Sequence, residues 1–448
     1  MPNSPDRQEY LPRCPSVLRK QASVCLALIV IWIFALPGCT EQQEANSITF
    51  AVGGAPAELD FWQVLIEEFQ NRSGIKVDLL RQPTDTELRR QGLVTSLRAG
   101  TTDPDVFLMD VAWLAQFAAS DWLEPLDDQV RSGQLDLDVF FEKVVTLADT
   151  YQGRLLALPV YVDGGLLYYR QDLLDKYGFT NPPQTWRELV RYCLVVQRGE
   201  RESKPNFYGF VWQGAQYEGL ICNWLEYAGS NGGGIGLERQ TIDLDTAANI
   251  QATQFMYDLI QAHKVSPPNT YTEMKEEEVR TFFQQGNALF ERNWPYAWSL
   301  HQEKDSPVKG KVGIVALPHF AGGGSVSTLG GWHIGISKHS DAKENSLELV
   351  KFVLSFDTQK KLALKLGWNP GRKDVYLDKQ VIEALPHFEQ LGDVFENLQP
   401  RPNLPYYTLI SEVIQRHLNG VLSGKSSAGE ALTAAEQEAQ SVIDRYAQ

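Results

Sequence analysis

A chain of 448 residues with 43% hydrophobic and 11% aromatic residues has the apolar content for two or three packed domains, which excludes an intrinsically disordered protein. Its formal net charge of -15, with no run of Lys and Arg, argues against nucleic acid as a partner. The seven histidines form no HxxxH or HExxH pair and the five cysteines no CxxC. With no nucleophile elbow and no dinucleotide fingerprint either, no metal and no cofactor are expected.

At the N-terminus, Arg13, Arg19 and Lys20 precede a mostly apolar run from Ala22 to Leu36. This is the charged and then apolar layout of an export signal, short for a transmembrane helix. It ends in Leu36-Pro37-Gly38-Cys39 and a polar Thr40-Glu41-Gln42-Gln43-Glu44 stretch, which resembles a bacterial lipobox. That likeness implies a signal over residues 1–38, cleavage before Cys39, lipid on its thiol and a tether over 39–46. Pro37 replaces the small residue usual at that position, and an uncleaved membrane anchor is the other reading. Either way the body faces outward. Cys14 and Cys25 leave with the signal, and Cys193 and Cys222, each in an apolar segment, read as two separate buried thiols.

Ile48, Phe50 and Val52 alternate with Thr49 and Ala51 as a strand. Gly53-Gly54-Ala55-Pro56 turns it into a helix with an apolar set of Phe61, Trp62, Leu65, Ile66 and Phe69, and Glu58 in the first turn. A second strand over Ile75 to Leu80 leads to a helix through Arg89, Leu93 and Leu97 that Gly100 can cap. Asp103 to Asp110 then reads as a buried strand ending in a carboxylate. Strand, helix, strand, helix is the grammar of a parallel α/β sheet, and ligands of such sheets sit beyond the C-terminal strand ends. Asp110 is therefore a site candidate as well as a cap for a helix over Ala112 to Ala119.

Leu155 to Val162 reads as another strand, which Asp163-Gly164-Gly165 interrupts as a hinge would. Thr185-Trp186-Arg187-Glu188 is a capping box. Ala247 to Lys264 and Glu276 to Gln285 read as helices, followed by a buried strand at Ala288-Leu289-Phe290. Asn293-Trp294-Pro295-Tyr296-Ala297-Trp298 comes next, with Pro295 suited to the first turn of a new helix. Aromatic faces suit the apolar C–H faces of a sugar ring, although core packing explains most aromatic clusters. Lys311 to Ala316 and Leu329 to Ile336 are strands, and Gly330-Gly331 before Trp332 allow a close approach. The last third is mainly helical, broken at Trp368-Asn369-Pro370-Gly371-Arg372 and Gln399-Pro400-Arg401-Pro402.

From about Phe50 onward the chain resembles the extracellular solute-binding proteins of ABC sugar importers, nearest the trehalose/maltose-binding branch. The stretches that carry the likeness are Val52 to Pro56, Asp103 to Trp113, Gly165 to Arg170, Asn293 to Trp298 and Gly330 to Ser337. It implies an α/β, two-lobed periplasmic-binding-protein fold of type II, whose hinge the chain crosses three times. Lobe one would be 45–161 and 332–373, and lobe two 164–329 and 374–448. The crossings would fall at Val162-Asp163, near Gly330-Gly331 and near Lys373.

Carried over residue by residue, the likeness implies a disaccharide site of Glu58, Arg89 and Asp110 from lobe one and Tyr161 and Asp163 from the hinge. Trp294, Tyr296 and Trp332 would stack on the sugar, and Arg401 and Arg372 would complete the set. Carboxylates and Arg each bond two adjacent hydroxyls, and lobe closure expels water around them. The expected protein is a lipid-anchored monomer outside the cytoplasmic membrane that hands trehalose, maltose, sucrose or glucosylglycerol to importer subunits. A sugar-sensing receptor subunit and an exported carbohydrate-active hydrolase are the other readings.

Overall fold

The computed structural model describes residues 46–446 apart from 389–390, 392–393 and 396–397. The signal segment and Cys39 lie outside the described residues. Among the described residues no helix is long and apolar enough to cross a membrane.

Two main sheets take their strands in chain order as β1 (Ser47–Gly53), β2 (Lys76–Gln82), β3 (Val106–Asp110), β4 (Leu158–Asp163), β5 (Leu166–Arg170), β6 (Tyr208–Val211), β7 (Ala288–Asn293), β8 (Val312–Val315) and β9 (Gly330–Ile336). The five-stranded sheet runs β2-β1-β3-β9-β4 and the four-stranded sheet β8-β5-β7-β6. In the first, β1 is parallel to β2 and β3, while β9 runs antiparallel to β3 and β4. The parallel half follows from the strand–helix alternation of the first hundred residues. Strand β9 reaches that sheet from far along the sequence.

The helix α1 (Pro56–Ser73) buries Leu59, Trp62, Leu65, Ile66 and Phe69. Trp62 meets Phe50 of β1 edge-on at 5.3 Å between ring centres. Ile48, Phe50 and Val52 are buried as their alternation predicts, and so is Ala51, because the sheet is covered on both faces. The helix α2 (Thr86–Ala99) packs Leu93 and Leu97 with Ala51, Phe107 and Met109 on that other face. Gly100, in the left-handed conformation at φ 69°, caps it. The four-stranded sheet is flanked by α3 (Glu218–Gly229), α4 (Glu276–Gln284) and α5 (Tyr407–Leu422). Its apolar core gathers Leu167, Phe210, Leu289 and Phe290 with Trp224 of α3 and Ile414 of α5.

Several expectations hold. Thr185 and Glu188 exchange both bonds of the capping box, and Cys193 and Cys222 are separate buried thiols. Others shift. The strand expected from Leu155 starts at Leu158, because Arg154–Leu155 pairs instead with Thr150–Tyr151. Asp163 does not interrupt the strand but ends β4, and Gly164-Gly165 alone separate it from β5. Pro295 opens no helix. Ala297 and Trp298 donate to the Trp294 and Pro295 carbonyls in a turn, and the helix begins at Ala297.

Candidate functional site

The centre of the candidate site is a row of residues that the register of the first sheet sets side by side. Trp332 of β9 stands opposite Asp110 of β3 on one flank and Tyr161 of β4 on the other. Directly opposed residues share a face of a sheet, so all three present their side chains together. Two residues along, on the same face, Gly330 stands opposite Asp163. The register slips between Trp332 and His333, an irregularity of the kind that re-aims a side chain next to a site. The two glycines before Trp332 admit close neighbours. At Gly331, with φ 124°, a Cβ would lie 2.3 Å from the Tyr161 carbonyl oxygen, and at Gly330 it would lie 3.1 Å from Cζ3 of Trp294.

Asp110 caps the turn that follows β3, as read from the sequence, and it also meets Arg401. Its Oδ1 accepts from the Ala112 amide at 2.8 Å and from Nη2 of Arg401 at 2.9 Å. Arg401 is buried at 7% exposure. It also donates from Nη1 to Glu218 at 3.1 Å, while its Nε is buried with no partner among the described residues. Glu218 in turn accepts from the Tyr407 hydroxyl at 2.7 Å and from Ser411.

Arg89, likewise buried, lies 4.4 Å over the Trp332 ring. It is aimed by two carbonyls, Pro83 at 2.6 Å and Thr84 at 3.0 Å. It passes so close to β1 that a Cβ on Gly53 would lie 2.3 Å from Nε, which is why the strand ends in glycine. Burial pulls the guanidinium below its ordinary value, against Tyr161, Glu58, Asp85 and Asp110. Glu58 accepts from its own helix terminus, at the Ala55 amide (2.7 Å), and from Nε1 of Trp368 (3.1 Å). Burial raises its carboxyl despite those bonds, and the facing carboxylate of Glu277 adds to the rise.

The Asp163 carboxylate stands at the end of β4. Burial, followed by the carboxylates of Asp110 and Glu58, pushes it up to about 8. On the other wall, the Arg292 guanidinium lies 3.9 Å from the Trp294 ring centre and is held in a buried ion pair with Glu226. The Tyr296 hydroxyl donates to Glu277 at 2.6 Å. The structure thus groups Glu58, Arg89, Asp110, Tyr161, Asp163, Trp332 and Arg401, with Tyr296 joined through Glu277 and Trp294 through Gly330. Arg372 stands apart. Its guanidinium bonds Asp374 at 2.6 and 3.0 Å and the Leu354 carbonyl at 3.2 Å.

Sequence reading missed three members of this neighbourhood. Trp368 packs against Tyr161 at 4.1 Å between ring centres, tilted by 35°, and donates to Glu58, yet its segment reads only as a break between helices. Glu218 meets Arg401 across 183 positions of sequence, and no local signal links them. Glu277 stands in a run of three glutamates that reads as ordinary helix-start acidity. Chemically, the site offers aromatic faces, carboxylate acceptors and guanidinium donors, and Nε of Arg401 is a buried donor without a partner among the described residues. A groove of about 300 Å³ beside the Gln399–Asn403 loop has Arg401 as its sole wall residue from the candidate set.

A probable ABC transporter-binding protein of Deinococcus radiodurans is 35% identical over 399 residues, covering 88% of this chain and 93% of that one. Among solved structures, maltose-bound MalE3 of T. maritima superposes with a TM-score of 0.83 at 41% identity, over 88% of this chain and 99% of the other. A solute-binding protein of Thermotoga lettingae bound with α-D-tagatose gives a TM-score of 0.79 at 27% identity, over 89% and 100%. Both neighbours share the two-lobed architecture. Residues 55–360 match the family described as bacterial extracellular solute-binding protein, and the chain belongs to that family.

Proposed function

We propose that this protein is the receptor of an ABC sugar importer and binds a disaccharide between its lobes. The observation that carries the reading is the row Asp110–Trp332–Tyr161. It places a carboxylate, an indole and a phenol on one face at the strand ends, with Asp163, Glu58, Arg89 and Arg401 around it. An aromatic face ringed by charged hydrogen-bonding groups is what a sugar ring requires, since its C–H face is apolar and its hydroxyl rim is both donor and acceptor. The maltose in the T. maritima structure supports a glucosyl ligand, and maltose, trehalose, sucrose and glucosylglycerol are the proposed set.

In this proposal lobe one comprises residues 45–161 and 332–373 around the five-stranded sheet, and lobe two comprises 164–329 and 374–448 around the four-stranded one. Three crossings join them. Trp294, Tyr296 and Trp332 stack on the sugar. Asp110 and Asp163 accept from its hydroxyls, and Glu58, Arg89, Tyr161 and Arg401 complete the ring of contacts. Arg372, engaged with Asp374, contributes to the fold beside the third crossing rather than to the ligand. Lipid on Cys39 would hold a monomer at the outer side of the cytoplasmic membrane, next to the importer subunits that accept the sugar. A sensing role would use the same closed surface, and no particular contact favours it.

A calorimetric panel of the four sugars, with each mixture assayed afterwards for products, tests the proposal. A receptor binds at least one and leaves all four intact. Hydrolysis would move the protein to the enzyme class, and absence of binding to every sugar would remove the ligand assignment.

A further inference from the structure

We infer that Asp85 and Lys275 form a strap across the mouth of the cleft that sets how tightly the closed state holds its ligand. For its ligand the inference rests on the receptor reading above. Lys275 Nζ lies 2.9 Å from Oδ2 of Asp85, although the two residues are separated by 190 positions and belong to opposite walls. Asp85 caps α2, accepting from the Leu88 amide at 3.0 Å, and α2 packs on the five-stranded sheet and carries Arg89. Lys275 immediately precedes α4, which packs Val279 and Phe283 with Tyr168 and Ala288 of the four-stranded sheet. The first turn of α4 carries Glu277, the residue that holds Tyr296 and faces Glu58.

The charges around the pair show why a lysine is needed there. One wall presents Asp85, Glu87 and Glu58, and the other Glu276, Glu277 and Glu278. At this rim the acids of the two walls repel one another and favour an open cleft, whereas deeper in Arg401 and Asp110 attract. Glu87 and Glu277 are each paired within their own helix, to Arg90 and Arg280, so those arginines do not bridge the gap. Lys275 does, its ammonium lying between the Asp85 carboxylate and the Tyr217 ring, 5.3 Å from the ring centre. Both side chains remain partly exposed, 43% for Lys275 and 35% for Asp85. That places the strap on the rim rather than against the ligand, within reach of salt. A contact that the closed state makes and the open state lacks shifts the population toward closure with or without ligand, and so raises apparent affinity and compacts the sugar-free protein without touching the sugar.

The experiment compares the parent with Asp85→Asn, Lys275→Gln and the double variant. Asn keeps the helix cap, and Gln keeps the Lys275 amide that donates to Glu278. Maltose affinity is measured at low and high ionic strength, and the radius of gyration without sugar by small-angle scattering. Each single substitution should weaken maltose binding by roughly 2–5-fold at low salt, the scale of an exposed ion pair. The double variant should be no weaker than the singles. High salt should bring the parent to the level of the variants while leaving them unchanged. Parent-like affinity in the singles, or losses that add independently, would overturn the inference. If the parent itself binds no maltose, the receptor reading has failed on its ligand and scattering decides the strap alone. A sugar-free Lys275→Gln protein more expanded than the parent sustains it, and equal radii overturn it.

Discussion

Arg401 and Asp110 are joined at 2.9 Å, Nη2 to Oδ1, and that bond ties the C-terminal end of β3 to the loop leading into α5. The same guanidinium reaches Glu218, which Tyr407 and Ser411 anchor in turn. A strand end in the five-stranded sheet is therefore linked, side chain by side chain, to helices beside the four-stranded one.

Breaking that link should be costly in the absence of sugar as well as in its presence. Asp110→Asn retains the shape and part of the cap on Ala112 but loses the charge that Arg401 is buried against. Removing one partner of a buried pair destabilises by about 3–5 kcal/mol, and the partial exposure of Asp110, 16%, puts this case toward the lower end. Urea denaturation without ligand should show that loss, and calorimetry should show weakened sugar binding. Glu218→Gln, which leaves the Asp110 bond in place, should reduce affinity with a smaller loss of stability. Unchanged stability in both variants would contradict the linkage.

The aromatic residues give a sharper separation of roles. Trp294→Ala or Trp332→Ala should weaken sugar binding by roughly 2–4 kcal/mol, the range of aromatic hot spots. Thermal stability without sugar should fall less than for Trp62→Ala, a fully buried indole whose truncation costs about 3–5 kcal/mol. If Trp332→Ala is as destabilising as Trp62→Ala while affinity is unchanged, the residue packs the core and binds nothing.

Asp163 predicts a pH signature. Its carboxyl is raised from 3.8 to about 8 in the folded protein, so between those values the folded state keeps a proton that the unfolded chain releases. Its contribution to stability is then complete at low pH and is lost as the pH climbs through that window, by up to about 1.4 kcal/mol per unit. Asp163→Asn should remove this part of the slope. Sugar-free denaturation at pH 5, 6, 7 and 8 measures it as the difference between parent and variant. Parallel curves would mean that the carboxylate is already ionised and solvated.

Anchoring has its own test. Cys39 directly follows the apolar run and precedes the polar stretch. Cys39→Ser should either release the protein from membranes or leave the signal attached. Fractionation with mass spectrometry of the N-terminus checks this, and a membrane-bound mature protein with an unmodified Cys39 would contradict it.

How much of this was legible beforehand depends on whether a feature is local. Strand alternation at Ile48, Phe50 and Val52, the glycine cap at Gly100 and the carboxylate ending β3 were readable, because each follows from residues a few positions apart. The resemblance supplied most of the candidate residues, among them Arg89, Tyr161 and Arg401. The side-by-side row of Asp110, Trp332 and Tyr161 was not readable, since β9 joins β3 and β4 from well over a hundred residues downstream and register is a property of pairing. Trp368 was passed over for the same reason: its partners Glu58 and Tyr161 are remote in sequence. Pro295 misled because proline suits a turn as well as a first helical position.

The most direct test of the receptor reading is a calorimetric titration of maltose into the purified mature protein at neutral pH. The account predicts saturable binding at one site per chain, lost or severely weakened in Trp332→Ala, with the maltose recovered intact. An absence of saturable heat, followed by the same result with trehalose, sucrose and glucosylglycerol, would contradict it.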